Sequence, residues 1–152
     1  MTAKEVFAAK PYGATVTFSD GTKRPPERFN KKLQDWERRN GAGLFVRADE
    51  PRPYSTGGFG LQLSDGDVLV VTKGFCMESP LDFVVTPPQP GTIMTYSEFE
   101  GRIEVKHVYP NIEAARAWCA RKRYDLFDHG YKVWIVADDG SLKDFTREGA
   151  AV

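Results

Sequence analysis

Residues 59–75 read FGLQLSDGDVLVVTKGF, two apolar runs that are separated by Asp65-Gly66. In the first run, Phe59, Leu61 and Leu63 alternate with small or polar residues, which is the period of a strand with one buried face. Asp-Gly between such runs indicates a tight hairpin, because glycine readily adopts the positive φ that the turn requires. The stretch therefore predicts an antiparallel hairpin whose inner face carries these three apolar side chains.

Similar alternation predicts further strands along the rest of the chain. They are ATVTFS (14–19), GLFVRA (43–48), LDFVVT (81–86), TIMTYSEF (92–99), RIEVKHVY (102–109), KVWIVA (132–137) and SLKDFT (141–146). Asp20-Gly21, Glu100-Gly101 and Asp139-Gly140 lie where such segments meet and predict further turns. Strands joined by short turns are antiparallel, so a mostly antiparallel sheet is expected.

A first helical period lies in the stretch PPERFNKKLQDWERRNG. Phe29, Leu33 and Trp36 fall on one stripe, and polar side chains cover the opposite face. Pro26 suits the first position of a helix, and Gly41 suits its C-terminal cap. The spacing predicts an amphipathic helix between Pro26 and Gly41.

A second helical period lies in NIEAARAWCARKRYDLFDHG, where Asn111 suits the N-cap and Gly130 the C-terminal end. Its apolar stripe comprises Ile112, Ala115, Trp118, Cys119 and Leu126. Cys119 is therefore expected to be a buried, inert thiol. His129 follows ten residues later, roughly 15 Å along a helix axis, so the two are not expected to form a catalytic pair. Cys76, in the loop KGFCMES, is the thiol that we expect to be more exposed.

These elements predict one α+β domain that spans residues 1–152. Its mostly antiparallel sheet, either gently or strongly curved, packs against two amphipathic helices. The residues expected between helices and sheet are Phe29, Leu33, Trp36, Ile112, Ala115, Trp118 and Leu126.

The composition is that of a folded globular chain. The 152 residues are 41% hydrophobic and 28% charged, which is enough apolar material for a packed core. No apolar run approaches the length of a membrane span, and no secretory leader is evident. Two cysteines do not make a disulfide framework. We therefore expect a cytoplasmic protein that does not enter a membrane.

Basic residues are concentrated in two segments although the net charge is zero. Residues 21–47 hold eight basic and three acidic side chains, and residues 101–123 hold six and two. The basic residues of the two predicted helices are Arg28, Lys31, Lys32, Arg38, Arg39, Arg116, Arg121, Lys122 and Arg123. Such faces can neutralise nucleic-acid phosphates, but cations near a helix C-terminus also complement the helix dipole. Two interpretations therefore stay open. Arg116, Arg121 and Arg123 bind nucleic acid, or the cations only stabilise the helix ends.

A carboxylate and an amine alternate on the strand RIEVKHVY. Glu104 and Lys106 are two residues apart, so their side chains share a face, and Asp82 lies upstream in SPLDF. This Glu-x-Lys pair, followed by a helix and a strand, resembles the core of the restriction-endonuclease-like nucleases. The resemblance implies that Asp82 and Glu104 hold Mg²⁺ while Lys106 assists the attack of water on a phosphodiester. The same pattern is typical of the solvated face of an antiparallel strand, and both interpretations stay open.

The leading functional prediction is a small non-enzymatic interaction module with no catalytic residue, metal or cofactor. Its partner is expected to be another protein, a second copy of the chain, or a nucleic acid. The segments EPRPYSTGGF and TPPQPGTIMTY are rich in aromatic residues, proline and glycine, which suits a contact surface. Within the first segment, Tyr54 and Phe59 are the predicted contact residues.

Overall fold

The computed structural model describes residues 1–65, 69–128 and 130–145, with the backbone alone at residues 64, 65, 69 and 70. The chain divides into two compact units, Met1–Thr86 and Pro87–Val152. Each unit combines helix with antiparallel strands, so the predicted α+β class is confirmed. The prediction of one domain over residues 1–152 stays a prediction.

The first unit contains five strands and two helices in its described residues. They are α1 (Ala3–Ala9), β1 (Thr15–Ser19), α2 (Asn30–Arg39), β2 (Gly41–Asp49), β3 (Gly58–Asp65), β4 (Leu69–Cys76) and β5 (Asp82–Thr86). The strands lie in the order β5-β1-β2-β3-β4, and each neighbouring pair is antiparallel. The predicted hairpin is β3–β4, with Asp65 paired to Leu69. Its turn, residues 66–68, lies outside the described residues.

Phenylalanine rings fill the core of the first unit. Phe59 is fully buried, and its ring stacks on Phe45 and Phe75 with centroids 5.6 and 5.5 Å apart. Phe83 meets the same ring edge to face at 5.3 Å. Leu61 is also fully buried and Leu63 is half-buried, so the predicted inner face of the hairpin is confirmed.

Helix α1 was not among the predicted elements. Thr2 is its N-cap, and the Thr2 hydroxyl accepts a hydrogen bond from the backbone N–H of Glu5 at 3.3 Å. Ala3 and Val6 of this helix are fully buried in the core of the unit. The Thr-x-x-Glu spacing of residues 2–5 is a known signal for a helix start, so the sequence did carry the information.

Helix α2 differs from its prediction in both its bounds and its packing. It begins at Asn30 rather than Pro26, and Gly41 is the first residue of β2 rather than a helix cap. No residue of the helix is buried, and Phe29, the residue before it, is 42% exposed. The expectation that Phe29, Leu33 and Trp36 lie in the core is therefore wrong. The three-residue stripe is short, and two cations, Arg28 and Lys32, lie over the Phe29 ring at 4.9 and 5.3 Å.

Polar contacts from Asp20 hold the C-terminal end of α2 to the end of β1. The Asp20 carboxylate accepts hydrogen bonds from the hydroxyl of Thr22 at 2.6 Å and from the side-chain amide of Asn40 at 3.1 Å. Arg39 forms an ion pair with it at 3.2 Å. Asp20-Gly21 thus begins the connection to α2 instead of closing a direct hairpin, and Gly21 has a φ of 79°.

The second unit contains four strands and one helix in its described residues. They are β6 (Ile93–Phe99), β7 (Arg102–Tyr109), α3 (Ile112–Arg121), β8 (Lys132–Val136) and β9 (Leu142–Asp144). The strands lie in the order β7-β6-β8-β9, all antiparallel. Glu100 and Gly101 join β6 to β7 with φ values of 51° and 77°, as the predicted tight turn requires.

Helix α3 buries part of its predicted apolar stripe, Ala115 and Cys119, and is shorter than predicted. Asn111 is the N-cap, and its side-chain oxygen accepts from the backbone N–H of Ala114 at 2.8 Å. Ala115 and Cys119 are buried against the sheet. The helix ends at Arg121, so Leu126 reaches the same core from the following loop rather than from the helix. Gly130 lies just before β8, and His129 lies outside the described residues.

Candidate functional site

Glu104 and Lys106 project from the same face of β7, as the strand period predicted. Their side chains form an ion pair at 3.3 Å and are 45% and 30% exposed. Asp82, the third residue of the nuclease hypothesis, is exposed at the start of β5 in the other unit. The second unit therefore contains Glu104 and Lys106 but not the third residue of the hypothetical nuclease site. Among residues 1–65, 69–128 and 130–145, no group of three or more His, Cys, Asp or Glu side chains is arranged to hold a metal ion.

The two predicted contact residues of the first unit have opposite environments. Tyr54 is 86% exposed in the loop between β2 and β3. Phe59 is fully buried, so the expectation that it is exposed is wrong. The reason is its place in β3, where it alternates with small and polar residues and faces the phenylalanine core. In the other aromatic segment, Tyr96 is 4% exposed and also belongs to a core strand.

The predicted basic residues of α3 lie at the solvent surface. Arg116 and Arg121 are on the helix and Arg123 follows it, and all three are exposed. The backbone of Arg123 has a φ of 60°, which turns the chain out of the helix. Seven residues separate Arg116 from Arg123, a spacing that would align them on a continuous helix, but α3 ends at Arg121 and they do not share a helical face. The expected clustering of cations at the helix end is confirmed.

The two cysteines differ in exposure as predicted. Cys119 is 2% exposed beneath α3, and burial raises the pKa of its thiol. A raised pKa reduces the thiolate fraction, so Cys119 is a poor nucleophile. Cys76 is exposed at the end of β4, and both thiols are free.

An aromatic cavity of about 510 Å³ lies in the second unit, and sequence reasoning did not predict it. Five described residues line it, and they define what we call the aromatic cavity: His107, Trp118, Tyr124, Asp128 and Tyr131. They come from β7, from α3 and from the loop that connects α3 to β8. Four of the five lie in residues 116–132, the stretch that also carries Cys119 and the basic cluster.

Helix packing places the tryptophan of this cavity. Ala115 and Cys119 are small enough to let α3 lie close to the sheet, and Trp118 extends along the flank of the helix over β7. Its ring centroid lies 4.7 Å from that of His107 and 5.8 Å from that of Tyr109. Trp118 is half-buried, so part of the ring remains available at the cavity.

The loop after α3 folds back over the sheet and brings the tyrosines. The backbone N–H of Tyr124 donates to the carbonyl of Cys119 at 2.8 Å, and Leu126 is buried at 3% exposure. The Asp125 carboxylate accepts from the backbone N–H of Phe127 at 2.9 Å. These contacts fix the loop so that Tyr124 stands at the cavity with 55% of its surface exposed.

A buried hydroxyl on the neighbouring strand contacts the histidine of the cavity. Thr95 of β6 is fully buried, and its Oγ1 lies 3.2 Å from Nδ1 of His107. Thr95 and His107 are cross-strand partners in the sheet. A hydrogen bond from a buried group on a neighbouring strand restricts the rotation of the ring and helps to preform this wall of the cavity.

A second cavity of about 540 Å³ in the same unit is more polar. Its lining comprises Tyr96, Glu98, Phe127, Tyr131, Lys132, Val133, Asp144 and Phe145. Lys132 and Glu98 form an ion pair at 3.2 Å. Burial, with the Asp144 charge beside it and a 3.4 Å hydrogen bond to that carboxylate, raises the pKa of Tyr96 to about 12. Within this cavity Lys132 is thus paired with Glu98, and Tyr96 is paired with Asp144.

The fold and the cavity together define a class, an α+β protein with an aromatic cavity in its second unit. The chain belongs to the family described as uncharacterised conserved protein UCP036055, whose model matches residues 1–129. That match includes β7, α3, Tyr124 and Asp128 but ends before Tyr131. No curated protein and no solved structure matches the chain significantly. In the part of the chain that the structure describes, no helix is long and apolar enough to cross a membrane.

Proposed function

We propose that the protein is a non-enzymatic binding module that holds a group of a macromolecular partner in the aromatic cavity. The observation that carries the proposal is the lining itself, in which the described residues are Trp118, Tyr124 and Tyr131 together with His107 and one carboxylate, Asp128. Apolar and aromatic walls with a few polar groups are the usual make-up of a ligand site. The cavity volume also falls within the range of about 300–1,000 Å³ that is common for such sites.

The degree of exposure also supports binding of an external group. Trp118, His107 and Tyr131 are half-buried, and Tyr124 is 55% exposed. Large aromatic side chains at partly open positions contribute contact area at a low cost in conformational entropy. We place the protein in the cytoplasm and take its partner to be a second protein or another copy of the chain.

The cavity is tested directly by fragment screening with NMR. A library of neutral, anionic and cationic fragments is added to the protein, and the indole N–H signals of its tryptophans are followed. We expect at least one chemical class to shift the Trp118 signal saturably while the signals of Trp36 and Trp134 stay in place. The proposal is wrong if no class of fragment shifts the Trp118 signal.

A second candidate function, nucleic-acid binding, is favoured by the exposure of α2. This helix buries none of its residues, and its basic side chains include Lys31, Lys32 and Arg38. Arg28 and Lys32 lie over the half-exposed ring of Phe29, which places cations beside an aromatic face. Basic groups neutralise phosphates and aromatic rings stack on bases, so the combination suits a single strand.

The salt dependence of DNA binding distinguishes a specific interface on α2 from nonspecific electrostatic attraction. Binding to single-stranded DNA is measured at several salt concentrations for the native chain, for Lys31→Glu with Lys32→Glu, and for Arg116→Glu with Arg123→Glu. If α2 is the interface, the first pair lowers affinity and flattens the salt slope by about 1.4, because two phosphate contacts with a single strand are lost. Equal effects of the two pairs would rule out a specific role for α2.

A further inference from the structure

The rings of the aromatic cavity are inclined to one another rather than stacked in parallel. The planes of His107 and Trp118 meet at 44° with centroids 4.7 Å apart, and those of His107 and Tyr131 meet at 56° with centroids 6.4 Å apart. Parallel rings would form a slot for a flat group such as a nucleic-acid base. Inclined rings around one space instead suit a rounded group that touches several walls at once.

The charge of the lining favours a cation. The lining residues that the structure describes include one carboxylate, Asp128, and neither lysine nor arginine. Aromatic rings present negative potential at their faces, and a cation within about 6 Å of a ring centroid is attracted to it. The second cavity of this unit offers a contrast, because Lys132 lines it. The negative potential at the ring faces and the negative charge of Asp128 therefore both attract a cation.

Methylation makes a cation suited to such walls. A primary ammonium is compact and strongly hydrated, so it loses much hydration on entering an aromatic site. A methylated ammonium keeps its charge, spreads it over apolar methyl groups and is rounded in shape. The volume of about 510 Å³ leaves room for the methylated head together with part of its alkyl stem.

We propose that the aromatic cavity binds a methylated ammonium group, with Trp118, Tyr131 and His107 as walls, Tyr124 at the rim and Asp128 as the counter-charge. This inference rests on the proposed function and names the chemical class of its ligand. The group is carried either by a methylated lysine of a partner protein or by a small choline-like molecule. The chemistry is the same in both cases, and the experiment separates them.

The test compares a cation with its neutral isostere on the complete chain. Choline and 3,3-dimethyl-1-butanol, in which carbon replaces the charged nitrogen, are titrated at equal ionic strength at pH 8 while the Trp118 indole signal is followed. We expect choline to bind at least about tenfold more tightly than the alcohol, because only the charged head is attracted by the rings and by Asp128. Equal affinities would overturn the inference while leaving the cavity as a binding site.

Peptides identify the source of the group. A short peptide with trimethyllysine is compared with the same peptide bearing unmodified lysine and with choline. Tighter binding of the trimethyllysine peptide than of choline assigns the site to a modified protein. The reverse order assigns it to a small molecule, which supports the ligand class but contradicts the macromolecular partner of the proposed function. If the unmodified peptide binds as tightly as the trimethylated one, methylation is not recognised and the inference is wrong.

Matched variants separate the roles of the residues. Trp118→Phe keeps an aromatic wall and is expected to bind choline more weakly, and Trp118→Leu is expected to abolish the preference for choline over the alcohol. Phe99→Ala, at a ring that is 73% exposed, is the control and is expected to change nothing. Asp128→Asn is expected to weaken the binding of choline and to leave the binding of the alcohol unchanged, because only the cation is attracted by the carboxylate charge. If Asp128→Asn weakens both ligands equally, the carboxylate has a structural role and its assignment as counter-charge is wrong. A complete absence of response of Trp118 to every fragment, by contrast, would contradict the proposed function itself.

Discussion

At the scale of single residues, Phe59 shows where a sequence pattern is reliable and where it is not. Its alternation with Leu61 predicts a buried strand face, and its place beside Tyr54 in a glycine-rich segment predicts an exposed contact. The first prediction is confirmed, because Phe59 is fully buried while Tyr54 is 86% exposed. Periodicity reports the face of a strand, whereas local composition does not show where a loop ends and a strand begins.

Removing the Phe59 ring tests this placement. Phe59→Ala leaves a cavity among Phe45, Phe75 and Phe83, so we expect a loss of about 3–5 kcal/mol in the free energy of unfolding. Tyr54→Ala is the matched control and is expected to change that free energy by less than about 0.5 kcal/mol. Urea denaturation measures both. Similar losses in the two variants would contradict the assignment of Phe59 to the core.

Asp20 predicts a pH dependence of stability. Hydrogen bonds from the side chain and the backbone of Thr22 lower its pKa from the ordinary 3.8 to about 2. A carboxyl whose pKa is lowered by folding stabilises the fold fully above its unfolded pKa, and the contribution is lost as pH falls toward the folded pKa.

We therefore expect the native chain to lose stability more steeply between pH 5 and pH 2 than Asp20→Asn does. Urea denaturation at a series of pH values measures the slope. Glu27→Gln, at a side chain that is 83% exposed, is the control and should keep the native slope. If stability falls with pH equally steeply in Asp20→Asn and in the native chain, the Thr22 hydrogen bonds do not lower the pKa of Asp20.

At the scale of elements, strands were easier to predict than the role of each helix. Every predicted strand has a counterpart in the described structure, because short apolar segments rich in β-branched and aromatic residues are separated by turns, several of which carry glycine. The apolar stripe of α2 predicted burial, yet the helix is held through Asp20 and Asn40 and buries none of its residues. A stripe shows which face of a helix prefers contact but not whether the sheet has space for it.

The N-cap of α3 supports the helix that carries Trp118. Asn111→Ala removes the acceptor for the backbone N–H of Ala114 and is expected to lower the free energy of unfolding by about 1 kcal/mol. Asn111→Asp keeps an acceptor and is expected to retain most of the stability. Thermal or urea denaturation compares the three chains, and equal losses for alanine and aspartate would argue against capping.

Strand β7 provides the test of the nuclease hypothesis. If Glu104 holds Mg²⁺, Glu104→Ala abolishes metal-dependent cleavage of DNA or RNA, and Arg102→Ala, a change on the same strand, does not. If the Glu104–Lys106 pair is only a partly exposed ion pair, either change affects stability by less than about 1 kcal/mol and no cleavage depends on Glu104. Gel assays with and without Mg²⁺ decide between the two.

At the scale of the whole molecule, the α+β class follows from the sequence but the aromatic cavity does not. Its residues come from β7, α3 and the loop before β8, and only the folded loop brings Tyr131 near His107. Helical spacing in the stretch 116–132 predicts that Trp118 and Cys119 lie on the core side of a helix, and it gives no role to Tyr124 or Tyr131. Spacing alone does not reveal a cavity between segments.

The binding of a macromolecule in the aromatic cavity is tested most directly by photo-crosslinking in cells that make the protein. Benzoylphenylalanine replaces Tyr124 at the rim of the cavity or, as a control, Phe99, which is 73% exposed at the end of β6. We predict a discrete crosslinked product from position 124 that Trp118→Leu abolishes and that position 99 does not give. A product from position 124 that persists in Trp118→Leu, or that position 99 gives equally, would contradict the account.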